Sequence, residues 1–289
     1  MKRIKWLSLA ALCVGAAILI FSACQKSASA SSSVPAGQQK FNMYLTDDPV
    51  NFEAVNIDIK AILVLVKTDS CSASGFVGAD STFPCYHWDS LKITPGVYNI
   101  LNFQNGLDTM FSSTLLEAGK VVRLRVILGN DNTVVADSTT FSLSLLWGNT
   151  VDVAVNTNAL QQLDASSFET WLDFDAGHSI IEIEHHHFAL KPCIRLFTRA
   201  NSGALEGVLK PRDADGFVSV IAGADTLIAL PSYQGHGPSG MWEIRGIFAD
   251  QVRVTFHHTA GAYLDSTLSS VQIEPGRTTN LGTVTLQNQ

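Results

Sequence analysis

The feature that most constrains the fold is a two-residue alternation of apolar and polar side chains. In residues 54–67, the apolar Val55, Ile57 and Ile59 alternate with polar residues, and the segments KVVRLRVILG and GHSIIEIE repeat this pattern. Such alternation is typical of strands with one buried face. The turn-forming sequences TDDP, TPG, QNG, GNDN, DADG and EPG recur along the chain. Short strands at close spacing predict an all-β protein made of sandwiches or barrels.

The first 24 residues have the layout of an export signal. MKRIK carries three positive charges, residues 6–23 carry none, and the small residues Ser22 and Ala23 precede Cys24. This layout resembles a bacterial lipoprotein signal, which implies cleavage before Cys24, a diacylglycerol on its sulfur and an acylated N-terminus. Phe21 departs from the pattern, in which Leu is usual. A transmembrane helix is the alternative, because the uncharged stretch is about long enough to span a bilayer. It would not explain a cysteine after two small residues.

The lipoprotein hypothesis places the protein in the cell envelope. Residues 1–23 are then the signal peptide, and residues 24–38 are a lipidated cysteine and a flexible, Ser- and Ala-rich tether. The lipid would hold the protein to a membrane. By resemblance to enteric lipoproteins, Gln25 after Cys24 favours the outer membrane, but the side that the protein faces is not predicted.

Net charge excludes one class of partner. Removal of residues 1–23 takes three positive charges from a net charge of −7, which gives −10. Proteins that bind nucleic acid need a basic surface, so we expect no nucleic-acid partner.

Cysteines predict a disulfide. Cys71 and Cys85 flank a loop rich in turn residues, and an exported protein meets an oxidising compartment. We therefore predict a Cys71–Cys85 bond, worth roughly 3 kcal/mol in the chain-entropy account. A metal-binding pair is the alternative, although no second close pair of cysteines accompanies it. Cys193 lies in an apolar segment, where a buried free thiol is expected.

About 250 residues after the tether are enough for two domains. The segment TRANSGALEG is small and polar, and it follows the apolar FALKPCIRLF. We place the boundary there, which predicts one β-sandwich over residues 39–199 and a second, of about seven strands, over residues 203–289.

Ordered motifs in the two predicted domains resemble two known families. FNMYLTDDPVNFEAVNIDIKAILV, GVYNILNFQNGLDTMF, LEAGKVVRLRVILGNDNTVV and WLDFDAGHSIIE through FALKPCIRL resemble the bacterial lipoprotein family known as domain of unknown function 4382. The segment 140–156 departs from the Ser-, Gly- and Pro-rich loop that is usual there. GMWEIRGI and VQIEPGRTTNLGTVTL resemble the carboxypeptidase-regulatory, transthyretin-like sandwiches. That second family implies a structural and interaction module without catalysis.

Three consecutive histidines in IEIEHHHFAL raise the possibility of a metal site. On a strand, His185 and His187 share a face, and two imidazoles at that spacing can ligate Zn²⁺, Cu²⁺ or Ni²⁺. The alternative is a hairpin tip of polar residues. A closed zinc site needs four ligands, so the hairpin interpretation is favoured.

Acidic residues form the second candidate site. Asp173 and Asp175 share a strand face, and Asp47 and Asp48 stand before a proline. Paired carboxylates can bind Ca²⁺ or act as a general acid and base. Asp beside Pro also forms turns, and Asp at a strand end caps backbone amides. The turn and cap interpretation is favoured, with a calcium site second and catalysis third.

The chain has no GxSxG, P-loop or HExxH sequence. We therefore predict a lipid-anchored envelope protein that is not an enzyme. It would be a binding or scaffolding module for a glycan, a peptide or another envelope protein. The alternatives are a metal-binding protein or hydrolase that uses the Asp or His clusters, and a fimbria- or adhesin-like structural subunit. No cofactor other than a possible Ca²⁺ is expected.

Overall fold

The computed structural model describes residues 34–47, 52–68, 85–106, 108–155, 167–184, 186–233 and 238–289. Thirteen strands come before residue 198: β1 Gln38–Thr46, β2 Ala54–Thr68, β3 Tyr86–Ser90, β4 Gly96–Asn99, β5 Thr109–Glu117, β6 Gly119–Leu128, β7 Thr133–Ala136, β8 Thr139–Leu145, β9 Thr150–Ala154, β10 Ser167–Phe174, β11 Ile180–Glu184, β12 His187–Leu190 and β13 Ile194–Phe197. Seven follow: β14 Gly203–Lys210, β15 Phe217–Ala222, β16 Asp225–Ala229, β17 Met241–Ile247, β18 Gln251–His257, β19 Ser266–Gln272 and β20 Thr278–Thr285.

Helical structure is sparse in these ranges. It consists of one four-residue helix, α1, and of short 3₁₀ turns: Ala176–Ser179 for α1, and Ile100–Phe103, Arg199–Asn201 and Arg212–Ala214 for the turns. None of these described helices has the length and apolar character needed to cross a bilayer. The prediction of an all-β fold is confirmed.

The N-terminal half, residues 38–197, consists of two sheets around one apolar core. The smaller sheet has the order β13-β10-β1-β5, with β1 and β10 parallel. The larger sheet has the order β11-β12-β8-β7-β2-β6-β9, and β3 and β4 also pair with β2. Buried side chains from both sheets pack together as a sandwich core.

Strand β2 shows how the sequence alternation produces that core. Val55, Ile57 and Ile59 are fully buried, and the next buried positions are Ile62 and Val64, so the inward face changes from odd to even numbers. The pairing of β2 with β6 shifts register between Ile59 and Ala61. An extra residue at such a bulge reverses which side chains face inward. The bulge therefore keeps one long strand facing the same core.

The C-terminal half, residues 203–289, also consists of two sheets around an apolar core. Their orders are β17-β14-β20 and β16-β15-β18-β19. Trp242, Val254 and Phe256 are fully buried in this core. The seven strands found in the described part of this half match the expected number.

Residues Ala36–Gln289 form one compact unit that contains both cores. The chain passes from β13 to β14 through residues 198–202, where the predicted boundary falls. Whether the two halves are independent domains stays a prediction.

Candidate functional site

The two halves meet through a polar junction centred on Asp108 and Arg245. Asp108 follows the loop after the first 3₁₀ turn, and Arg245 lies on β17. Arg245 Nη1 donates a hydrogen bond of 2.7 Å to Asp108 Oδ2. The same oxygen accepts a 2.7 Å hydrogen bond from the indole Nε1 of Trp171 on β10. One carboxylate therefore joins strands from both halves.

Arg245 is further held by Glu243 on its own strand, with 2.6 Å between Arg245 Nε and Glu243 Oε1. Burial alone would lower the pKa of Arg245. The hydrogen bonds and negative charges of Glu243 and Asp108 outweigh burial and raise this pKa above its ordinary value. The guanidinium thus stays charged with its partners in place, and removal of one carboxylate would leave this half-buried charge with only one partner.

The loop between the first 3₁₀ turn and β5 makes a second bridge. Asn105 Nδ2 donates a 2.8 Å hydrogen bond to the backbone oxygen of Leu230 in the C-terminal half. Asn105 and Gly106 both have positive φ, at 53° and 72°. A Cβ on Gly106 would collide with the Glu243 carboxylate, so a glycine is needed here for the halves to approach this closely.

A cleft of about 240 Å³ opens beside this junction. Its walls come from the end of β10, the segment between β13 and β14, strand β17 and the start of β20: Trp171, Phe197, Arg199, Ser202, Gly203, Ala204, Glu206, Glu243, Arg245, Gly246, Gly276, Arg277 and Thr278. Five of these side chains are charged, so the cleft is predominantly polar.

An aromatic stack forms the N-terminal wall of the cleft. The Trp171 ring is stacked between Tyr44, at 5.1 Å between centroids, and Phe197, at 6.0 Å. The Arg199 guanidinium lies over the same Trp171 ring, 5.3 Å from its centroid. Trp171 is only 3% exposed, so the stack positions Arg199 and offers little apolar surface of its own.

A second, smaller cavity of about 10 Å³ lies at the junction, roughly the space of one water molecule. Asp47 and Asp173, two of the predicted acidic residues, both line it, together with Asn105 and Glu243. Asp47 is held by donors: the backbone N–H of Ala176 at 3.1 Å and the Gln104 amide at 3.2 Å.

Asp173 is almost fully buried and is paired with Arg195 on the neighbouring strand β13. Burial raises the pKa of Asp173, and the attraction of Arg195 opposes this effect. One carboxylate oxygen, Oδ1, has no hydrogen-bond partner.

Asp175 does not continue the strand of Asp173. It is the N-cap of α1, where Oδ1 accepts a 3.0 Å hydrogen bond from the His178 backbone N–H and Oδ2 lies 2.6 Å from His178 Nδ1. Asp175 therefore takes the capping role that was the favoured interpretation.

The described ranges contain no group of three His, Cys, Asp or Glu side chains placed to hold a metal ion. Asp48, another predicted ligand, lies outside those ranges.

Comparison with known families identifies the N-terminal half. The family model described as a domain of unknown function (DUF4382) matches residues 38–192, which is more than half of the chain. The chain belongs to the DUF4382 family. The resemblance seen in the sequence is thereby confirmed for this half. The match ends before the C-terminal half, whose transthyretin-like resemblance stays a prediction.

No curated protein matches the sequence. Similar solved structures include the minor pilin GBS52 of Streptococcus agalactiae, at 10% identity and a TM-score of 0.20, covering 86% of this chain and 96% of that one. The shaft pilin SpaA of Lactobacillus rhamnosus GG is 7% identical with a TM-score of 0.21, covering 87% and 98%. The fimbrial anchor protein Mfa2 of Porphyromonas gingivalis is 7% identical with a TM-score of 0.19, covering 76% and 78%. TM-scores this low carry no argument about fold or function.

Two of the three consecutive histidines, His186 and His187, lie where β11 turns into β12, and these two strands pair antiparallel. His186 has a φ of 64° and stacks on Phe141, whereas His187 is the first residue of β12. His185 lies outside the described residues, so the His185–His187 metal pair stays a prediction.

Of the cysteines that the sequence analysis discussed, the structure describes Cys85 and Cys193. Cys85 is buried and is not a free thiol. Cys71 and Cys24 lie outside the described residues, so the Cys71–Cys85 bond and the lipidation of Cys24 stay predictions. Cys193 is a free, half-buried thiol just after the DUF4382 match, and burial raises its pKa. A thiol of raised pKa is a poor nucleophile.

Three side chains outside the DUF4382 domain, Ser219, His257 and Asp265, contact one another in the Ser–His–Asp sequence of a hydrolase triad. Ser219 Oγ lies 2.8 Å from His257 Nε2, and His257 Nδ1 lies 2.9 Å from Asp265 Oδ2. However, Ser219 is on β15, which pairs with β16 on one side and β18 on the other. Its backbone amide belongs to a paired strand and is not available as an oxyanion donor, which acyl transfer requires.

The sequence did not indicate the junction residues. Asp108 and Arg245 are 137 positions apart, and neither belongs to a local pattern. The one local signal was the pair of charges, Glu243 and Arg245, in the segment WEIRGI. Such charges predict polar partners but do not identify them.

Proposed function

We propose that the protein is a lipid-anchored, non-catalytic binding module of the cell envelope, with the junction cleft as its ligand site. The observation that carries this proposal is the cleft itself: a polar opening at the meeting of two β-sandwich halves, beside a half-buried Asp108–Arg245–Glu243 network. Ligand sites occur preferentially where domains meet, because such clefts combine side chains from separate elements.

The acidic residues support binding over catalysis. A general acid or base needs a carboxyl group that reaches the substrate. Asp47 is occupied by amide donors, Asp173 is paired with Arg195, and Asp175 caps α1. These carboxylates therefore have structural roles in the folded protein.

Blocking the cleft tests the proposal. Thr278 is exposed at the start of β20 and lines the cleft, so Thr278→Trp fills it without entering the core. Thr283→Trp on the same strand is the matched control, because Thr283 is also exposed and does not line the cleft. We expect a screen of glycans and peptides to give ligands that bind the wild type and Thr283→Trp but not Thr278→Trp. Equal binding by both variants would place the ligand site elsewhere.

The anchor is tested separately by membrane fractionation. Cys24→Ser removes the proposed lipid attachment site, so the protein should move from the membrane fraction to the soluble fraction. Retention in the membrane fraction would contradict lipid anchoring. Protease treatment of intact and lysed cells then shows whether the protein faces outward.

Ser219 and His257 give the hydrolase alternative a defined test. A fluorophosphonate probe labels activated serines, and we expect it not to label this protein. Labelling that disappears in Ser219→Ala would favour an enzyme over a binding module.

A structural subunit is the other alternative, and strand β11 is the observation that favours it. Within the described sheets β11 pairs only with β12, and Ile183 is 59% exposed. An unpaired edge can accept a strand from another chain. Assembly in sedimentation experiments that is abolished by Ile183→Lys would support this alternative, whereas we expect a monomer.

A further inference from the structure

Arg199 is held in a fixed position at the edge of the cleft. It begins the 3₁₀ turn Arg199–Asn201, in which the Asn201 carboxamide accepts hydrogen bonds from the Thr198 backbone N–H at 2.8 Å and hydroxyl at 2.9 Å. The guanidinium lies over the Trp171 ring, 5.3 Å from its centroid, and the indole is in turn fixed by Asp108. An arginine placed over an aromatic ring keeps its N–H edge available for other partners.

No hydrogen bond or ion pair with another described side chain uses that edge. Among the described residues, Arg199 forms no ion pair with a carboxylate, unlike the fully engaged Arg245. Arg277 also lines the cleft and pairs, among the described residues, with Glu274 at 3.2 Å, and both of these side chains are mostly exposed. An exposed pair of this kind is worth little and can exchange for a better partner. The cleft therefore offers two guanidinium groups to a ligand in a chain that is otherwise acidic.

The same cleft also contains hydrogen-bond acceptors. Glu206 on β14 accepts a 2.6 Å hydrogen bond from Asn280 and retains further lone pairs. The hydroxyl of Thr278 lines the same wall. A carboxylate on the protein repels an anionic ligand group but accepts hydrogen bonds from hydroxyl groups, so the ligand needs both kinds of group.

From this combination of guanidinium donors and hydrogen-bond acceptors we infer that the cleft binds an acidic sugar. The sugar carboxylate would bind Arg199 and Arg277, and ring hydroxyls would bind Glu206 and Thr278. This inference rests on the proposed function and specifies the ligand class of that site. Arginine recognises carboxylates through parallel N–H donors, and these charge-assisted hydrogen bonds are about twice as strong as neutral ones. The cleft, at about 240 Å³, is smaller than typical drug-sized sites and suits one unit of an acidic oligosaccharide whose other units extend into solvent.

An acidic peptide fits this cleft less well. Peptide recognition draws on buried aromatic and aliphatic anchors, and here Trp171 is covered by Tyr44, Phe197 and Arg199. Polar walls with both donors and acceptors match a ring that carries a carboxylate and several hydroxyls.

Calorimetry on the soluble Cys24→Ser chain tests the inference with defined probes. The probes are trigalacturonic acid, the neutral galactotriose and triglutamate. We expect trigalacturonic acid to bind, with affinity that falls as salt is added. We expect at least about a tenfold loss in both Arg199→Ala and Arg199→Lys, because a lysine keeps the charge but not the paired donors.

Arg212 supplies the matched control. It also begins a 3₁₀ turn, and its guanidinium lies 5.3 Å from the centroid of an aromatic ring, that of Tyr233. Arg212→Ala removes a cation–π contact similar to the one that Arg199→Ala removes. Its affinity for trigalacturonic acid should nevertheless stay within about twofold of the wild-type affinity. Circular dichroism melts show whether each variant is folded.

Several results would overturn the inference. These are no binding of trigalacturonic acid at millimolar concentration, equal binding of galactotriose, equal or tighter binding of triglutamate, and unchanged affinity in Arg199→Ala. If Thr278→Trp still abolishes binding of some other ligand class, the acidic-sugar inference fails while the binding function stands. If Thr278→Trp affects no ligand, the proposed function fails as well.

Discussion

The two halves of the chain bury different kinds of side chain. The N-terminal half encloses several polar and charged residues among its buried positions, including Asp47, Asp58 and Asp173. In the described part of the C-terminal half, from residue 203 onward, every buried side chain is apolar. Burial of a charge costs free energy that only specific partners offset, whereas apolar burial stabilises without directional requirements. The N-terminal half is thus sensitive to partner loss and pH, and the C-terminal half is sensitive to cavities.

Asp58 shows how the N-terminal half meets that requirement. It is fully buried in β2, with Lys60 Nζ at 2.9 Å and the Asp131 backbone N–H at 3.3 Å as partners. The Asp58 backbone N–H in turn donates to the Asn132 carboxamide at 2.9 Å. The turn after β6 is therefore shaped around one carboxylate, and an apolar residue at position 58 could not organise it.

The largest expected effect is in the apolar core of the C-terminal half. Phe256 is fully buried against Trp242, so Phe256→Ala should cost about 4 kcal/mol of unfolding free energy through lost burial and a cavity. Hydrogen exchange measured on the intact chain should show the loss in β14–β20 first. The matched change Phe217→Ala, at a half-buried position on β15, should cost much less.

A similar but slightly smaller effect is expected from a charge pair in the N-terminal half. Arg195→Ala leaves Asp173 buried without its cation, so we expect a loss of about 3 kcal/mol in urea unfolding. Arg277→Ala is the control, because its pair with Glu274 is exposed and should contribute about 0–1 kcal/mol. Equal effects of the two substitutions would remove the contrast between buried and exposed pairs.

The smallest effect is a change in how stability depends on pH. Burial raises the folded pKa of Asp173 above its ordinary value of 3.8. The folded state therefore holds this proton more tightly than the unfolded state, which favours folding below pH 3.8, and this contribution is lost as pH rises through the raised pKa. The stability of wild type relative to Asp173→Asn should accordingly fall with rising pH.

Asp152 gives the opposite sign in the same experiment. Its hydrogen bond to Arg125 lowers the pKa of Asp152, so its stabilising contribution is present above pH 3.8 and is lost as pH falls through the lowered value. Wild type relative to Asp152→Asn should gain stability with rising pH. Parallel pH profiles for the two variants would contradict the assignment of Asp173 as the buried carboxyl. Because Asp152 is a third exposed, its effect is expected to be modest.

Sequence patterns predicted the strands better than the contacts between them. The alternation of apolar and polar side chains around Val55, Ile57 and Ile59 located β2, because the two-residue period of a half-buried strand can be recognised in consecutive residues. The change of phase at the β2 bulge was not predicted, since it depends on pairing with β6. By contrast, the predicted turn sequence DADG does lie between strands β14 and β15, and its residue Asp215 has a positive φ.

The candidate site was predicted only in fragments. Asp47 and Asp173 attracted attention as acidic residues, and the structure places both beside the junction. The residues around them could not be predicted from the sequence, because Arg195 lies on another strand and Arg245 lies in the other half. The cap at Asp175 is a local interaction between residues three apart, and capping was among the roles that the sequence suggested for these acids.

The central claim is that the Arg245 network holds the two halves as one body and so shapes the cleft. Residual dipolar couplings of backbone amides in the intact Cys24→Ser chain test it directly. The account predicts that couplings from β1–β13 and from β14–β20 fit one alignment tensor in the wild type and separate into two in Arg245→Ala. Two different tensors in the wild type would show that the halves reorient, and would contradict the claim.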